Sequence, residues 1–304
     1  MSGIDLYGGI EAGGTKFICA VAANPPKVSH ETQIATTVPN ETLERVCEYF
    51  YPFVKDGRLK GIGIASFGPV DVDNRSPTYG YIKATPKPHW EDTDILGILK
   101  RELGVPFAFQ HDVNASAVGE HQWGASAGID PSLYITIGTG IGGGYLVNSK
   151  PHVGLSTLEM GHISIPHDLE RDPFMGHCPY HRDCFEGLAS GPAIEARMRQ
   201  RAETLSDDDP FWEIEANYIA YALTNYIFTL SPGIIIVGGG VMQRTCLYAN
   251  VREKVREILN GYLKFDVLME NIDQYIVPPS LGIYSGVLGA ISMAMDLGAA
   301  SKNQ

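Results

Sequence analysis

The stretch that decides the fold is LYGGIEAGGTKFICAVAA, residues 6–23. Apolar and β-branched residues flank the glycine-containing segment, so the pattern predicts a strand, a tight turn and a returning strand. The same order recurs as LYITIGTGIGGGYLV at residues 133–147. A strand-turn-strand unit that occurs once in each half of the chain indicates a duplication on the scale of a domain.

Outward from these hairpins, apolar spacing predicts further strands and helices. The predicted strands lie near residues 33–37, 61–66, 106–112, 234–239 and 273–278. The predicted helices cover residues 40–54, 93–103, 114–123, 192–204, 210–230, 244–263 and 285–297. Residues 71–90 are rich in Pro, Tyr and Gly and show no periodicity, so we expect a long functional loop there.

Composition limits the classes of protein that fit. A chain of 304 residues suggests two domains, and its 44% hydrophobic and 19% charged residues are typical of a soluble globular protein. The net charge of −12, without a basic patch, argues against nucleic acid or an anionic membrane as partner. There is neither a signal-like N-terminus nor an apolar run of membrane-spanning length, and five cysteines fit a reducing cytosol. We therefore expect a cytoplasmic protein.

Both glycine-rich turns could cradle phosphates, because glycine lets backbone N–H groups approach an anion without a Cβ atom in the way. The candidate residues are Gly13, Gly14, Thr15 and Lys16 in the first turn and Gly138, Thr139 and Gly140 in the second. An ordinary hairpin turn is the alternative for each, but their duplication favours a ligand site. A third run, Gly238, Gly239 and Gly240, joins a buried strand to a helix, which suits either a nucleotide or a tight turn.

A candidate metal site lies in residues 159–191, EMGHISIPHDLERDPFMGHCPYHRDCFEGLASG. Thiolate and imidazole ligands suit tetrahedral zinc, and four protein ligands would make the ion structural. The predicted ligands are His162, Cys178, His181 and Cys184, with His177 and His167 as substitutes for His162. A Cys178–Cys184 disulfide, or a polar loop without metal, is the alternative.

Asp112 lies at a predicted strand end, before a helix. A carboxylate there could accept a proton from an attacking hydroxyl group. An N-cap is the alternative role, because aspartate is a favoured N-cap residue.

These motifs resemble, in chain order, those of the ROK family of sugar kinases. The matching runs are Gly13–Lys16, His111–Asp112, Gly138–Gly143, Glu159–His162 and Gly238–Gly240. Within the family, the sequence looks most like the bacterial zinc-containing fructokinases, through Ile10–Phe17, Thr85–Trp90, Cys178–Cys184 and Glu186–Pro192. The resemblance implies an α/β protein with the actin-like ATPase (ribonuclease H-like) fold and a ligand cleft between two domains. We expect the domains at residues 1–116 and 117–284, with the zinc loop in the second and helix 285–304 completing the first.

The resemblance also implies an ATP-dependent kinase that phosphorylates D-fructose to fructose 6-phosphate, with Asp112 as general base. The implied sugar-binding residues are Gly68, Pro69, His111, Glu159, His162 and Glu186. The implied ATP-binding residues are those of the three glycine-rich runs together with Pro192. Mg²⁺ would bridge the ATP phosphates, Zn²⁺ would be structural, and the protein would be a homodimer.

The alternatives are a hexokinase of the family that prefers mannose or glucose, and a non-catalytic sugar sensor. Glucose-preferring relatives typically carry Asn at the position of His111 and a CxCGxxGC zinc loop in place of CPxHxxC. Many relatives carry Asp at the position of Glu11. No helix-turn-helix segment precedes Leu6, so we expect no binding of DNA.

Overall fold

The computed structural model describes residues 4–85 and 87–300, with side chains described as far as Leu297. Pro86, from the Thr85–Trp90 motif, and residues 301–304, from the expected C-terminal helix, lie outside the described residues. By its internal contacts the chain divides into two compact units. The first comprises Met1–Ala127, Lys150–Thr157 and Ser280–Gln304, and the second comprises Gly128–Ser149 and Leu158–Pro279.

Strands and helices are interspersed along the chain. The strands are β1 (Leu6–Ala12), β2 (Lys16–Ala22), β3 (His30–Ala35), β4 (Leu59–Ser66), β5 (Tyr81–Ile82), β6 (Thr93–Asp94), β7 (Phe107–His111), β8 (Ser132–Ile137), β9 (Ile141–Val147), β10 (Lys150–Pro151), β11 (Ile234–Gly238) and β12 (Ile276–Val277). The helices are α1 (Pro39–Lys55), α2 (Ile95–Leu103), α3 (Asp112–Trp123), α4 (Phe185–Ala189), α5 (Gly191–Met198), α6 (Phe211–Leu230), α7 (Cys246–Leu259), α8 (Asp266–Met269), α9 (Ile272–Tyr275) and α10 (Ser285–Ala300).

The first unit is built on a five-stranded sheet in the order β3-β2-β1-β4-β7. Successive side chains of a strand point to opposite faces, and β2 shows the consequence. Phe17 and Val21 join the core formed with α1 and α2. Ile18 and Ala20 join a second core formed with α10. The sheet therefore lies between two layers of helices.

Helix α10 approaches both the sheet and α3 closely, through small residues. A Cβ atom at Gly63, on β4, would collide with the backbone carbonyl of Ala290. A Cβ atom at Gly289, on α10, would collide with the carbonyl of Ala115 on α3. Glycine is thus required at these crossings because any side chain would push the elements apart.

The second unit contains four strands in the order β9-β8-β11-β12. One apolar core joins Leu133 and Ile135 of β8 to Ile219 and Leu223 of α6. Strand β8 pairs antiparallel with β9 and parallel with β11, just as β1 pairs antiparallel with β2 and parallel with β4. The predicted duplication of the hairpin is therefore confirmed in the strand pairing.

Several element bounds differ from those predicted by the sequence pattern. Helix α3 runs unbroken to Trp123, across the expected domain boundary at residue 116. The helix expected over 192–204 ends at Met198, because Arg199 adopts a left-handed conformation with φ of 56°. In the strand expected over 273–278, the first three residues belong to α9, and β12 is the part that is extended. The expected long loop contains β5, which pairs with β6.

None of the helices within residues 4–85 and 87–300 has the length and apolar character that crossing a membrane requires.

Candidate active site and metal centre

Candidate residues of the first unit gather where three neighbouring strands end. Because β4 pairs in parallel with both β1 and β7, the carboxyl ends of these strands lie at one edge of the sheet. Glu11 lies near the end of β1, Gly68 follows β4, and His111 ends β7. Asp112 comes next, as the first residue of α3. Parallel strand topology thus brings together residues that are far apart in the sequence.

The Asp112 carboxylate is tied to the start of its helix yet remains accessible. Its Oδ1 atom accepts a hydrogen bond of 2.8 Å from the Val113 N–H, and 32% of the side chain is exposed. Burial by the surrounding protein raises the pKa of Asp112, while His111 and the Val113 N–H oppose the rise. His111 occupies the N-cap position but makes no side-chain capping bond. Asp112 therefore assists the helix start and can also accept a proton.

His111 is held between Asp112 and Gly68. Its Nε2 atom lies 3.4 Å from Oδ1 of Asp112, and only 11% of its side chain is exposed. A Cβ atom at Gly68 would lie 2.7 Å from that same Nε2 atom, so the loop after β4 leaves room for the imidazole only because residue 68 is glycine. The Gly68–Pro69 peptide bond is cis. The predicted residues Gly68, His111 and Asp112 are therefore adjacent.

Glu11 is a partly buried acid in the same region, and its Oε2 atom is inaccessible to solvent. Burial raises its pKa to about 7, and the charge of Asp112 acts in the same direction. A backbone hydrogen bond from Val287, near the start of α10, opposes the rise, as does the positive charge of Lys16. A Cβ atom at Gly286 would lie 2.5–2.8 Å from the Glu11 carboxyl atoms. No sequence pattern indicates that α10 encloses this carboxyl group.

The first glycine-rich turn is short and exposed. Gly13 N–H donates to the Lys16 carbonyl over 3.1 Å, which closes the turn between β1 and β2. Thr36 stabilises the turn with two hydrogen bonds. Its N–H donates to the Thr15 carbonyl, and its hydroxyl donates to the Gly13 carbonyl. A Cβ atom at Gly14 would meet no atom within 4 Å. The turn thus has a fixed backbone and an open outer side.

In the second unit, three candidate segments for a nucleotide meet. The N–H of Gly191, at the start of α5, donates to the Gly138 carbonyl over 2.8 Å. A Cβ atom at Gly138 would lie 3.8 Å from the backbone nitrogen of Gly240. Pro192 follows at the first turn of α5, whose N-terminus is capped by Ser190. Backbone N–H groups at a helix start favour a phosphate or carboxylate.

Two predicted sugar contacts in this unit have different surroundings. The Glu186 carboxylate accepts a 2.8 Å hydrogen bond from the Ile141 N–H, so it also holds the β8–β9 turn. Glu159 is exposed, and its carbonyl accepts the His162 N–H over 3.1 Å. Sequence patterns could not have revealed the bond between Glu186 and Ile141, because it joins residues distant in the chain.

The structure brings the four predicted metal ligands together. The ligand atoms of His162, Cys178, His181 and Cys184 all lie within 4.8 Å of one another. Nδ1 of His162 lies 3.8 Å from Sγ of Cys178 and 3.6 Å from Sγ of Cys184. With bonds of about 2.3 Å to sulfur and about 2.0 Å to nitrogen, a tetrahedral zinc site has S–N edges of about 3.6 Å. The donor set and its spacing therefore fit Zn²⁺.

The alternatives to this ligand set are disfavoured. Cys178 and Cys184 are free thiols, not a disulfide. His167 is engaged elsewhere, since its ring nitrogens contact the Asp183 carboxylate and the Asp172 carbonyl. His177 is exposed and does not belong to the cluster found among the described residues. His162 is thus the histidine placed to complete the set.

A buried ionic group, not foreseen from the sequence, anchors the loop that carries these ligands. Asp172 lies in the loop and is nearly inaccessible, as is Arg197 of α5, to which it is paired at 3.1 Å. The Tyr218 hydroxyl of α6 donates to Asp172 over 2.6 Å. Glu215, fully buried nearby, has its pKa raised well above the ordinary value by burial. The acids and the arginine are far apart in the sequence, so no spacing pattern indicates that they form a buried ionic group.

This chain is similar to known proteins over nearly its whole length. The ROK family model matches residues 7–297. A chain from Bacillus subtilis (strain 168) is 49% identical over 289 residues, 95% of each chain. The fructokinase of Pediococcus pentosaceus is 43% identical over 298 residues, covering 98% of this chain and 99% of that one. The crystal structure of ROK hexokinase from Thermus thermophilus superimposes with a TM-score of 0.79 at 25% identity, over 98% of this chain and 100% of that chain.

Proposed function

The chain belongs to the ROK family and has the actin-like ATPase fold of that family, and from this membership we propose that it is an ATP-dependent fructokinase. The reaction would transfer the γ-phosphoryl group of ATP to the 6-hydroxyl of D-fructose. The observation that carries the proposal is the full-length similarity to several proteins named fructokinase. The candidate base and the glycine-rich turns support the same chemistry.

Asp112 is the proposed general base. Phosphoryl transfer requires a group that accepts the proton of the attacking hydroxyl, and an accessible carboxylate at the end of β7 suits that task. His111 lies beside it and Gly68 lies beside His111. Together with Pro69 they are the proposed sugar contacts of the first unit. Glu159, His162 and Glu186 are those of the second. In this assignment Glu186 has two roles, because it also bonds the Ile141 N–H.

ATP is the proposed phosphoryl donor. Gly13, Gly14, Thr15 and Lys16 would bind phosphate through an open backbone turn, a hydroxyl and a positive charge. In the second unit, Gly138, Thr139 and Gly140 would do the same, and Pro192 with Gly238, Gly239 and Gly240 would border the adenosine. Mg²⁺ is proposed as part of the MgATP substrate, where it neutralises phosphate charge.

The cluster of Cys178, Cys184, His162 and His181 is the proposed site of one structural Zn²⁺. A bound Zn²⁺ would supply a cross-link, because all four coordination positions are taken by protein. His162 Nδ1 faces the thiols, which leaves Nε2 on the other side of the ring for a sugar hydroxyl. The ligands would therefore hold the histidine in one orientation.

Release of ADP from ATP in the presence of fructose, mannose or glucose tests the proposal. We expect the highest kcat/KM with fructose, and Asp112→Asn should lower kcat by about 10²–10⁴-fold with sugar binding largely retained. Asp56→Asn is the matched control, because Asp56 is an exposed acid of the same unit paired with Arg58. Its activity should equal that of the wild type.

Other outcomes would point to the alternatives. A preference for mannose or glucose would make the protein a hexokinase of the family with another substrate. Sugar binding by calorimetry without turnover on any hexose would indicate a sensor. Near-normal turnover by Asp112→Asn would mean that Asp112 only assists the start of α3.

A further inference from the structure

Among the described residues, His111 is the ionisable side chain found within ion-pair distance of the Asp112 carboxylate. Its Nε2 atom faces Oδ1 at 3.4 Å, and its side chain is largely buried. Two unit charges, or a charge and a ring dipole, interact strongly at this distance when little water intervenes. The contact is thus able to affect which charge state of Asp112 is favoured.

The local backbone fixes the direction of the imidazole. Gly68 lies next to the Nε2 edge of the ring. A Cβ atom at this residue would be only 2.7 Å from Nε2. Nδ1 is buried and has no hydrogen-bond partner among the described residues. A neutral ring that carries its proton on Nε2 presents the positive end of its N–H dipole to Asp112, and an imidazolium presents a full charge.

We propose that His111 is a positioning residue that acts through Asp112, with its Nε2 edge favouring the negatively charged form of the carboxylate. The inference rests on the proposed role of Asp112 as general base. A base must be ionised to accept the proton of a sugar hydroxyl. His111 therefore extends activity towards acidic pH, in addition to any contact with sugar.

Other groups also affect the charge state of this carboxylate. The Val113 N–H, on the same helix, favours the ionised form in the same way as His111. Glu11, on β1, carries a negative charge when ionised and acts in the opposite direction, and Lys16 favours that ionised form of Glu11. His111 is thus the ionisable side chain that favours the charged carboxylate most directly.

Replacement of His111 by Gln tests the positive charge that the imidazole can carry. Glutamine keeps a polar side chain of similar reach but cannot become a cation. His111 lowers the pKa of Asp112, so this pKa should rise when His111 is replaced. We therefore expect the acidic limb of the kcat/KM profile for fructose to move to higher pH. Below its midpoint the rate falls about tenfold per pH unit, so the loss relative to wild type should grow at acidic pH and shrink at alkaline pH.

The matched control is His30→Gln, because His30 is an exposed histidine of the same unit whose ring packs on Phe53. Its profile should coincide with that of the wild type. A raised KM for fructose in His111→Gln with an unmoved acidic limb would overturn the proposal, because His111 would then be a sugar contact alone. His111→Asn, with a shorter amide side chain, should shift the limb in the same direction.

A second measurement does not depend on turnover. The Asp112 carboxyl carbon can be titrated by ¹³C NMR, with Asp112→Asn identifying its signal. The midpoint of the Asp112 titration should be higher in His111→Gln than in the wild type. The same difference should be found when both proteins also carry Glu11→Gln. Equal midpoints would overturn the inference even if the protein is an active fructokinase. A shifted midpoint in a protein without hexose turnover would instead contradict only the proposed function.

Discussion

Two carboxyl groups at the same sheet edge have different surroundings. Asp112 is partly exposed and faces His111, whereas Glu11 is enclosed by α10 and faces the negative charge of Asp112. Burial is the main cause of the raised pKa of both groups. Glu11 therefore holds its proton to a higher pH than an ordinary carboxylate does.

Glu11 makes the stability of the protein depend on pH. Its pKa is about 7 in the folded chain against an ordinary 4.5, so the folded state binds this proton more tightly. The contribution of Glu11 to the free energy of unfolding is therefore complete below pH of about 4.5 and is lost as pH rises through about 7. We expect Glu11→Gln to gain thermal stability relative to the wild type between about pH 5 and about pH 8.

Thermal unfolding of the apo protein across this range is the measurement. Glu44→Gln, which changes an exposed carboxyl group on α1, is the matched control and should show no such trend. A constant difference in Tm between Glu11→Gln and wild type at all pH values would contradict the shifted titration.

Among the elements, the contact between α3 and α10 depends on the absence of side chains. Gly289 of α10 lies against the carbonyl of Ala115, and Gly119 of α3 lies against Gly289. Helix propensity alone would favour alanine over glycine by about 1 kcal/mol. Overpacking costs about 1–3 kcal/mol, and here the obstacle is backbone rather than a flexible side chain. The packing effect should therefore exceed the gain in propensity.

We expect Gly289→Ala to lower the free energy of unfolding by up to about 2 kcal/mol, which is the overpacking cost less the gain in helix propensity, measured by urea denaturation. Gly154→Ala is the matched control, because a Cβ atom at Gly154 would meet nothing within 4 Å. That control should lie within about 0.5 kcal/mol of the wild type. A Gly289→Ala protein more stable than wild type would show that α10 can move away from α3 at little cost.

At the scale of the whole molecule, the proposed metal would hold two of the proposed sugar-binding acids in place. Glu159 precedes His162 by three residues and Glu186 follows Cys184 by two, so holding the ligands also holds both acids. The proposed phosphate-binding turn of the first unit, Gly13–Lys16, contains none of the ligands. Loss of the metal should therefore affect sugar binding more than ATP binding.

We expect chelation to raise the apparent KM for fructose and to reduce activity, with little change in the KM for ATP. Cys178→Ser should have the same effect, because a serine hydroxyl is a poor replacement for thiolate on zinc. Cys246→Ser is the matched control, since Cys246 starts α7 and is outside the cluster. Metal analysis should find one zinc per chain, and full activity with substoichiometric zinc would contradict the assignment.

The sequence by itself determined the features that depend on short separations. Glycine-rich turns between apolar runs predicted both hairpins, because turn chemistry and strand alternation are local. The spacing of Cys178, His181 and Cys184 predicted that these ligands lie together. Sequence patterns predicted the ends of helices less well, because a single backbone conformation can end a helix. Arg199 is an example, since its positive φ ends α5.

The tertiary structure alone decided which distant residues became neighbours. Parallel pairing of β1, β4 and β7 placed Glu11, Gly68 and His111 at one edge, and no local periodicity encodes that pairing. The sequence predicted His162 as the fourth ligand, and the structure adds that Asp172 and Asp183 engage the substitute His167. Burial, which raises the pKa of Glu11 and Asp112, comes from packing by the whole unit. These properties arise from long-range contacts, and for that reason a single sequence could not reveal them.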